Sequence, residues 1–114
     1  MKGLGNIRVV IVPDEKFYFA QGLEIDYAAQ GATIAEVKKN FETGFQATLD
    51  LHLKVHGNVK GFLQPAPPPV WQEFLPDAAA MKSGIFSVSE HAIEHSGLPY
   101  DGIQYLVATS EKGP

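Results

Sequence analysis

The side chains with the clearest potential for chemistry in this chain are two pairs of histidines, each pair spaced four residues apart. His91 and His95 belong to the segment HAIEH, which matches the H-x-x-E-H pattern of inverted zinc proteases. On a helix, histidines at this spacing share a face and could chelate a metal ion. Such proteases need a third ligand far downstream, and only a short segment follows His95. We therefore predict no metal centre and keep His91 and His95 as a weak candidate pair on a solvated helix face.

The second pair, His52 and His56, falls at the end of the longest periodic segment. A cationic histidine there interacts favourably with the negative C-terminal end of the helix dipole. We interpret this pair as stabilising the helix.

The carboxylates nearest the edges of the predicted sheet are Asp14, Glu15, Glu24 and Asp26. A metal-dependent nuclease needs several carboxylates around one site, but these lie on turns at opposite ends of a predicted hairpin. The sequence also has no Ser-His-Asp spacing, phosphate loop or dinucleotide fingerprint. We predict a protein that is not an enzyme and holds no cofactor. Its carboxylates either face solvent or form an acidic surface that docks a basic partner.

Composition narrows the class of protein further. The 114 residues carry a net charge of −4 and contain no cysteine, which excludes disulfides and thiolate metal sites. The absence of cysteine is typical of a reducing cytoplasm, where we place the protein. Arg8 is the only arginine and no basic cluster exists, so direct nucleic-acid binding is not expected. No apolar run reaches the roughly 20 residues of a membrane span, so no membrane partner is expected.

The elements that must position these residues begin with a long helix, predicted over Thr33–Val55. Thr33 and Glu36 have the spacing of a capping box, in which the Glu36 carboxylate accepts from the Thr33 N–H. Apolar residues recur every three or four positions along this helix, and Gly57 follows as a stop. The stripe consists of Ile34, Val37, Phe41, Phe45, Leu49 and Leu53.

Three strands are predicted before this helix. Residues 7–13, IRVVIVP, are apolar on both faces, which indicates a central strand covered on both sides. Residues 17–23, FYFAQGL, follow a short turn that contains proline and aspartate, so the two strands should form an antiparallel hairpin. Residues 27–32, YAAQGA, form a short third strand of small residues.

After Gly57 the chain is rich in proline. Residues 65–70, PAPPPV, favour an extended polyproline conformation, either as a stiff connection or as a docking peptide. Residues 70–75, VWQEFL, predict a short helix, and residues 89–95, SEHAIEH, have the composition of another. Residues 103–108, IQYLVA, are our choice for a strand parallel to the first one, and residues 85–88, IFSV, are the rival.

Together these elements predict an α+β fold with a three- to four-stranded, mainly antiparallel sheet and one long helix packed on one face. Residues 1–57 form its β-β-β-α core. Residues 58–114 add the Pro-rich connection, short helices and a C-terminal strand that complete the same single domain. The second apolar face of the first strand must be covered by the C-terminal segment or by another copy of the chain. Open edge strands also favour self-association, so we expect a homo-oligomer, a dimer or higher.

One stretch resembles a known family. Residues 18–21, YFAQ, and residues 23–37, LEIDYAAQGATIAEV, are similar to the N-terminal domain of HicB antitoxins. That family shows an aromatic-x-Ala strand, a short acidic connector and a Q-G-x-T-x-E-E-A sequence that opens a long helix. Residues 30–36, QGATIAE, follow this pattern apart from Ala35, which stands where glutamate is usual, and Val37 stands where alanine is usual. The resemblance covers residues 6–56, about half of the chain.

The resemblance implies a partly reduced ribonuclease-H-like fold without the acidic metal site of the nuclease. It implies neutralisation of a small basic toxin, HicA, which cleaves RNA. A C-terminal DNA-binding domain is also usual in the family, but residues 57–114 contain no two clear consecutive helices and few basic residues.

We therefore predict a HicB-like antitoxin that binds and neutralises a small RNA-cleaving toxin through protein–protein contacts. The alternative is a solitary HicB-like domain that self-assembles or binds a small ligand or metal. The residues predicted to bind the toxin are Tyr18, Gln21, Glu24, Asp26 and Tyr27, followed by Trp71 and Phe74, which serve either the toxin or self-association.

Overall fold

The fold is organised around the strand that is apolar on both faces. A computed structural model describes residues 5–59, 61–74, 86–92 and 99–108. Strand β1 (Asn6–Asp14) lies in the middle of a five-stranded sheet with the order β3-β2-β1-β5-β4. Ile7, Val9, Val10 and Ile11 are all fully buried, which is possible only because both faces of β1 are covered. The sequence had predicted three or four strands, so that number was too low.

The N-terminal half forms the predicted antiparallel meander. Strand β2 (Phe17–Gly22) pairs with β1, and β3 (Ala28–Gly31) pairs with the other side of β2. Glu15 adopts a left-handed conformation in the hairpin turn, with φ of 49°. Side chains alternate between the two faces of a strand. Phe19 and Gln21 therefore share one face, and Tyr18 and Ala20 share the other.

Helix α1 (Ile34–His56) starts and ends where the sequence predicts. The Glu36 N–H donates to Thr33 Oγ1 at 3.0 Å, and Gly57 ends the helix with φ of 77° while its N–H donates to the Leu53 carbonyl at 2.8 Å. The Glu36 carboxylate accepts from the Ala32 N–H at 2.6 Å rather than from the Thr33 N–H, so the reciprocal bond falls one residue earlier than predicted. The helix is thus capped at both ends by local contacts.

The C-terminal half supplies helix α2 (Pro68–Phe74), β4 (Phe86–Ala92) and β5 (Gly102–Ala108). Strand β5 pairs in parallel with β1, as predicted for residues 103–108. Residues 86–88 of the rival segment belong to a strand as well, because β4 pairs in antiparallel fashion with β5 on the outside of the sheet. Residue 85 lies outside the described residues. The helix predicted over residues 89–95 was wrong for its first half, since Ser89 and His91 lie on β4. His95 lies outside the described residues.

Two cores result, one on each face of the sheet. Helix α1 buries Val37, Phe41, Phe45 and Leu49 against one face, together with β1 and β5. On the second face, a smaller core of Val10, Leu23 and Leu106 is joined by half-buried side chains of α2 and of β1, as expected if the C-terminal segment covers this face. The half-buried residues are Val12, Val70, Trp71 and Phe74.

None of the helices in the described ranges combines the length and apolarity that a membrane span requires.

Candidate functional site

The Pro-rich segment is tied to the loop between β2 and β3. The Ala66 N–H donates to the Leu23 carbonyl at 2.9 Å, and the Asp26 N–H donates to the Gln64 carbonyl at 2.7 Å. Helix α2 follows at once, and the Trp71 indole N–H donates back to the Ala66 carbonyl at 2.8 Å. These bonds hold α2 across the second face of the sheet. The proline stretch therefore connects the β2–β3 loop to α2. The extended conformation predicted over residues 65–70 was wrong for residues 68–70, which are the first residues of α2.

Glu24, one of the predicted docking residues, is already paired within the chain. Its carboxylate accepts from the Arg8 backbone N–H and from Arg8 Nε, both at 2.6 Å. The Arg8 guanidinium lies 5.0 Å from the centre of the Trp71 ring, a cation–π distance. Because Arg8 neutralises Glu24 and Trp71 covers Arg8, this trio fixes α2 and adds little negative charge to the surface.

Gln21 and Asp26 form a second internal contact beside this trio. Gln21 is 7% exposed, and its amide nitrogen donates to Asp26 Oδ1 at 2.9 Å and to the Gly22 carbonyl at 2.8 Å. Asp26 itself is exposed. Gln21 therefore orients the Asp26 carboxylate, and Asp26 is the member of this pair that a partner could reach.

At the far end of α2, an open groove of about 360 Å³ lies between the helix and the β1–β2 hairpin. Its aromatic part is Phe19 and Phe74, whose ring centres are 5.9 Å apart. Two carboxylates, Asp14 and Glu73, line it as well. We call this feature the α2 groove; its lining residues are Val12, Pro13, Asp14, Phe19, Glu73 and Phe74. Aromatic rings beside carboxylates form a surface suited to a cationic side chain.

Tyr18 and Tyr27 do not belong to this surface. Tyr27 packs edge-on against Phe41, with ring centres 5.2 Å apart, and also contacts Phe45. Tyr18 is half-buried against the core under α1. The seven predicted binding residues are thus divided between the two faces of the sheet. Gln21, Glu24, Asp26, Trp71 and Phe74 lie around α2, whereas the two tyrosines pack on the α1 side.

The structure also brings together a polar cluster that the sequence did not indicate. Tyr105, 2% exposed, donates its hydroxyl proton to Glu42 Oε2, and His91 Nδ1 lies 2.8 Å from the same oxygen. Lys38 lies beside them, with its ammonium 3.2 Å from Ser89 Oγ and 5.0 Å from the centre of the Tyr105 ring. Burial, and then the bond to Glu42, raise the pKa of Tyr105 above its ordinary value of 10.0.

This cluster joins α1 to strands β4 and β5. A neutral tyrosine that donates to a carboxylate stabilises the folded chain but has no acid–base role near neutral pH. The candidate metal residue His91 therefore contacts a carboxylate of α1 and lies on a strand, so the shared helix face predicted for it was wrong. Ser89 and His91 lie beside α1 because β4 pairs with β5. No local sequence pattern indicates that pairing.

The other histidine pair, His52 and His56, lies on one face of the last turns of α1. The ring centres of His52 and His56 are 4.5 Å apart, and His52 also lies 5.7 Å from the Phe62 ring. An open groove of about 260 Å³ runs past both rings. Within residues 5–59, 61–74, 86–92 and 99–108, no three histidine or acidic side chains are grouped closely enough to hold a metal ion alone. Any metal bound here would draw two ligands from the described part of one chain.

No family model, curated protein or solved structure matches this chain. The resemblance to HicB antitoxins therefore remains a prediction from the residues that carry it.

Proposed function

We propose that this protein is a HicB-like antitoxin, which binds a small basic RNA-cleaving toxin of the HicA type and neutralises it by covering its surface. The observation that carries the proposal is the α2 groove, where aromatic side chains and two carboxylates lie together on an open surface. The β-β-β-α order of the first 57 residues is consistent with the resemblance, which rests on the same stretch.

The groove offers both parts of a lysine or arginine side chain a suitable environment. The apolar stem can lie along Phe19 and Phe74, while the charged head pairs with Asp14 or Glu73. No cation partner of Asp14 or Glu73 is found in the described ranges, in contrast to Glu24, which Arg8 neutralises. The net charge of −4 adds a long-range attraction for a basic partner.

Neutralisation in this proposal needs no chemistry from the antitoxin. A rigid surface that covers the RNA-binding side of a toxin is sufficient, and α2 is held rigidly by the Trp71–Ala66 bond and the Arg8–Glu24 pair. Asp26 extends the negative surface towards the other end of α2. The proposed contact surface therefore runs along α2 from Asp26 to the α2 groove.

The test is co-purification from the native cell with this chain as bait, followed by an RNA-cleavage assay of any small basic partner. We expect a stoichiometric partner whose cleavage stops on binding. Reversing the charge of one groove carboxylate, Asp14→Lys, should weaken binding roughly tenfold or more, because like charges then face each other. The wild-type affinity should also fall as salt rises.

The matched control reverses an exposed carboxylate at the opposite end of the sheet. Asp101 lies beside Gly5, before the first residue of β1, whereas Asp14 is the last residue of that strand. The two sites are roughly 30 Å apart at the rise of a β-strand. Asp101→Lys should leave the affinity within about twofold of wild type. Equal losses in both variants would show that net charge rather than the groove drives binding. A bait that returns only itself would contradict the proposal.

The second candidate is a solitary HicB-like domain that assembles with itself. Strand β4 favours it, because its residues from Ser87 to Ala92 are exposed and no strand of the described ranges pairs with its outer edge. Val88 on this strand is 46% exposed. An open edge is a template for another strand. Light scattering of the purified chain should then report at least a dimer, and a clean monomer would eliminate this candidate.

A further inference from the structure

The C-terminal turns of α1 carry two side chains of metal-binding type on one face. His52 and His56 are four residues apart, which places their rings one above the other on the helix. Their ring centres are only 4.5 Å apart and their planes are inclined by 39°. A pair of imidazoles held this closely on a rigid helix can bind one ion with two nitrogens, and imidazole is a good ligand for zinc, copper and nickel.

The surroundings favour a cation at this position. The C-terminal end of a helix carries partial negative charge, which favours positive charge in the last turn. A metal-binding histidine commonly uses one ring nitrogen for the metal and the other for a neighbouring group, so existing contacts of these rings are compatible with ligation. His52 is supported from behind by the ring of Phe62. The pair is therefore partly ordered before any metal arrives.

Two ligands do not complete the coordination of zinc, which takes four in closed sites. The described part of the chain offers no group of three metal-binding side chains, so the remaining ligands must come from elsewhere. The same face of α1 also exposes apolar side chains that a second copy of the chain would cover. Leu51 and Val55 flank the histidines and are 62% and 66% exposed, the highest values among the large apolar side chains of the described ranges. Water ligands would leave both of them uncovered.

We propose that His52 and His56 form half of a zinc site that is completed by the same two residues of a second copy. In a two-fold symmetric contact each helix meets the same face of its partner, so four imidazoles converge on one ion and Leu51 and Val55 become covered. This inference is independent of the toxin proposal, because the site lies on α1 and the α2 groove lies on the other face of the sheet.

The test is a zinc titration of the full chain after removal of metal by a chelator, followed by calorimetry and by light scattering. We expect roughly half an equivalent of zinc per chain and a doubling of the particle mass, reversed by the chelator. Cobalt in place of zinc should give the intense visible absorption of a tetrahedral site, as expected for four imidazoles around one ion.

Variants separate this site from other histidines. His56→Ala should weaken zinc binding by about tenfold or more and abolish the mass doubling, because one ligand in each copy is lost. His91→Ala is the matched control. It should change neither the zinc affinity nor the mass doubling, since His91 lies on β4 beside Glu42. Leu51→Asp should suppress the doubling if the helix faces meet. One equivalent of zinc per chain without a mass change, or an unaltered response of His56→Ala, would overturn the proposal.

Discussion

Gly31 is a residue at which the addition of a single methyl group should destabilise the fold. It ends β3, directly before the first turn of α1, and its φ lies outside the left-handed region. Alanine could therefore adopt the backbone conformation of Gly31. A Cβ atom added there would lie 2.5 Å from the Val37 nitrogen, 2.7 Å from the Val37 Cα and 3.0 Å from the Glu36 carbonyl carbon. All three are backbone atoms, so no side-chain rotation can relieve the contact.

The magnitude follows from two opposing terms. Replacing glycine by alanine restricts the unfolded chain and stabilises the fold by about 0.4–1 kcal/mol where the conformation is allowed. Ordinary contacts between carbon atoms are about 3.5–4.0 Å, so β3 and α1 must separate by about 1 Å. Overpacking of this kind costs about 1–3 kcal/mol, and the rigid neighbours place Gly31→Ala at the upper end. We expect a net loss of about 2 kcal/mol, or about 8 °C in Tm.

Urea denaturation followed by circular dichroism measures this loss directly. The midpoint should fall while the slope m stays the same, because the surface exposed on unfolding does not change. Gln30→Ala is the matched control, since residue 30 is an exposed neighbour on the same strand; its stability should stay within about 0.5 kcal/mol of wild type. Gly31→Val should lower the urea midpoint further than Gly31→Ala does. A midpoint for Gly31→Ala at or above the wild-type value would refute the close approach of β3 and α1.

Two further predictions concern capping and the buried tyrosine. Thr33→Ala removes the acceptor of the Glu36 N–H at the start of α1 and should cost about 1 kcal/mol in the free energy of unfolding, whereas Thr33→Ser should restore most of it. Tyr105→Phe removes the donor to Glu42 and should cost about 1.5 kcal/mol at pH 8. Because the folded-state pKa of Tyr105 is raised, wild-type stability should fall as pH rises above about 10, where the unfolded chain loses the tyrosine proton. Tyr105→Phe lacks this contribution, so urea melts at pH 8 and pH 11 should show the gap between the two proteins narrowing; a constant gap would contradict the raised pKa.

The long helix and the central strand were predictable because their signals are local. Thr33, Glu36 and Gly57 specify the ends of α1 through contacts within a few residues, and the apolar stripe specifies which side is buried. The uniform apolarity of β1 similarly required cover on both faces. Alternation along β2 also indicated that the predicted toxin-binding residues of this strand could not all share one surface. Tyr18 and Gln21 differ by an odd number of positions, so they had to point to opposite faces of the sheet.

The prediction for residues 89–95 failed for the opposite reason. Their polar composition is compatible with a surface helix, but the segment gains more by pairing with β5, where Ser89 lies opposite Tyr105 and His91 opposite Ile103. Unlike the β1–β2 hairpin, β4 pairs with a strand that begins ten residues after its own last residue, so its formation depends on contacts that composition does not encode. The same holds for Glu24, whose charge is neutralised by a residue 16 positions away.

The sequence by itself determined the α+β class, the extent of α1, the hairpin, and the need to cover both faces of the first strand. Each follows from periodicity, capping or turn chemistry, which act over a few residues. Only the tertiary structure decided that α2 covers the second face, that β4 joins the sheet, and that Asp14 and Glu73 meet across one groove. These features depend on which distant segments become neighbours, and that choice is made by the packing of the whole chain rather than by any one stretch of it.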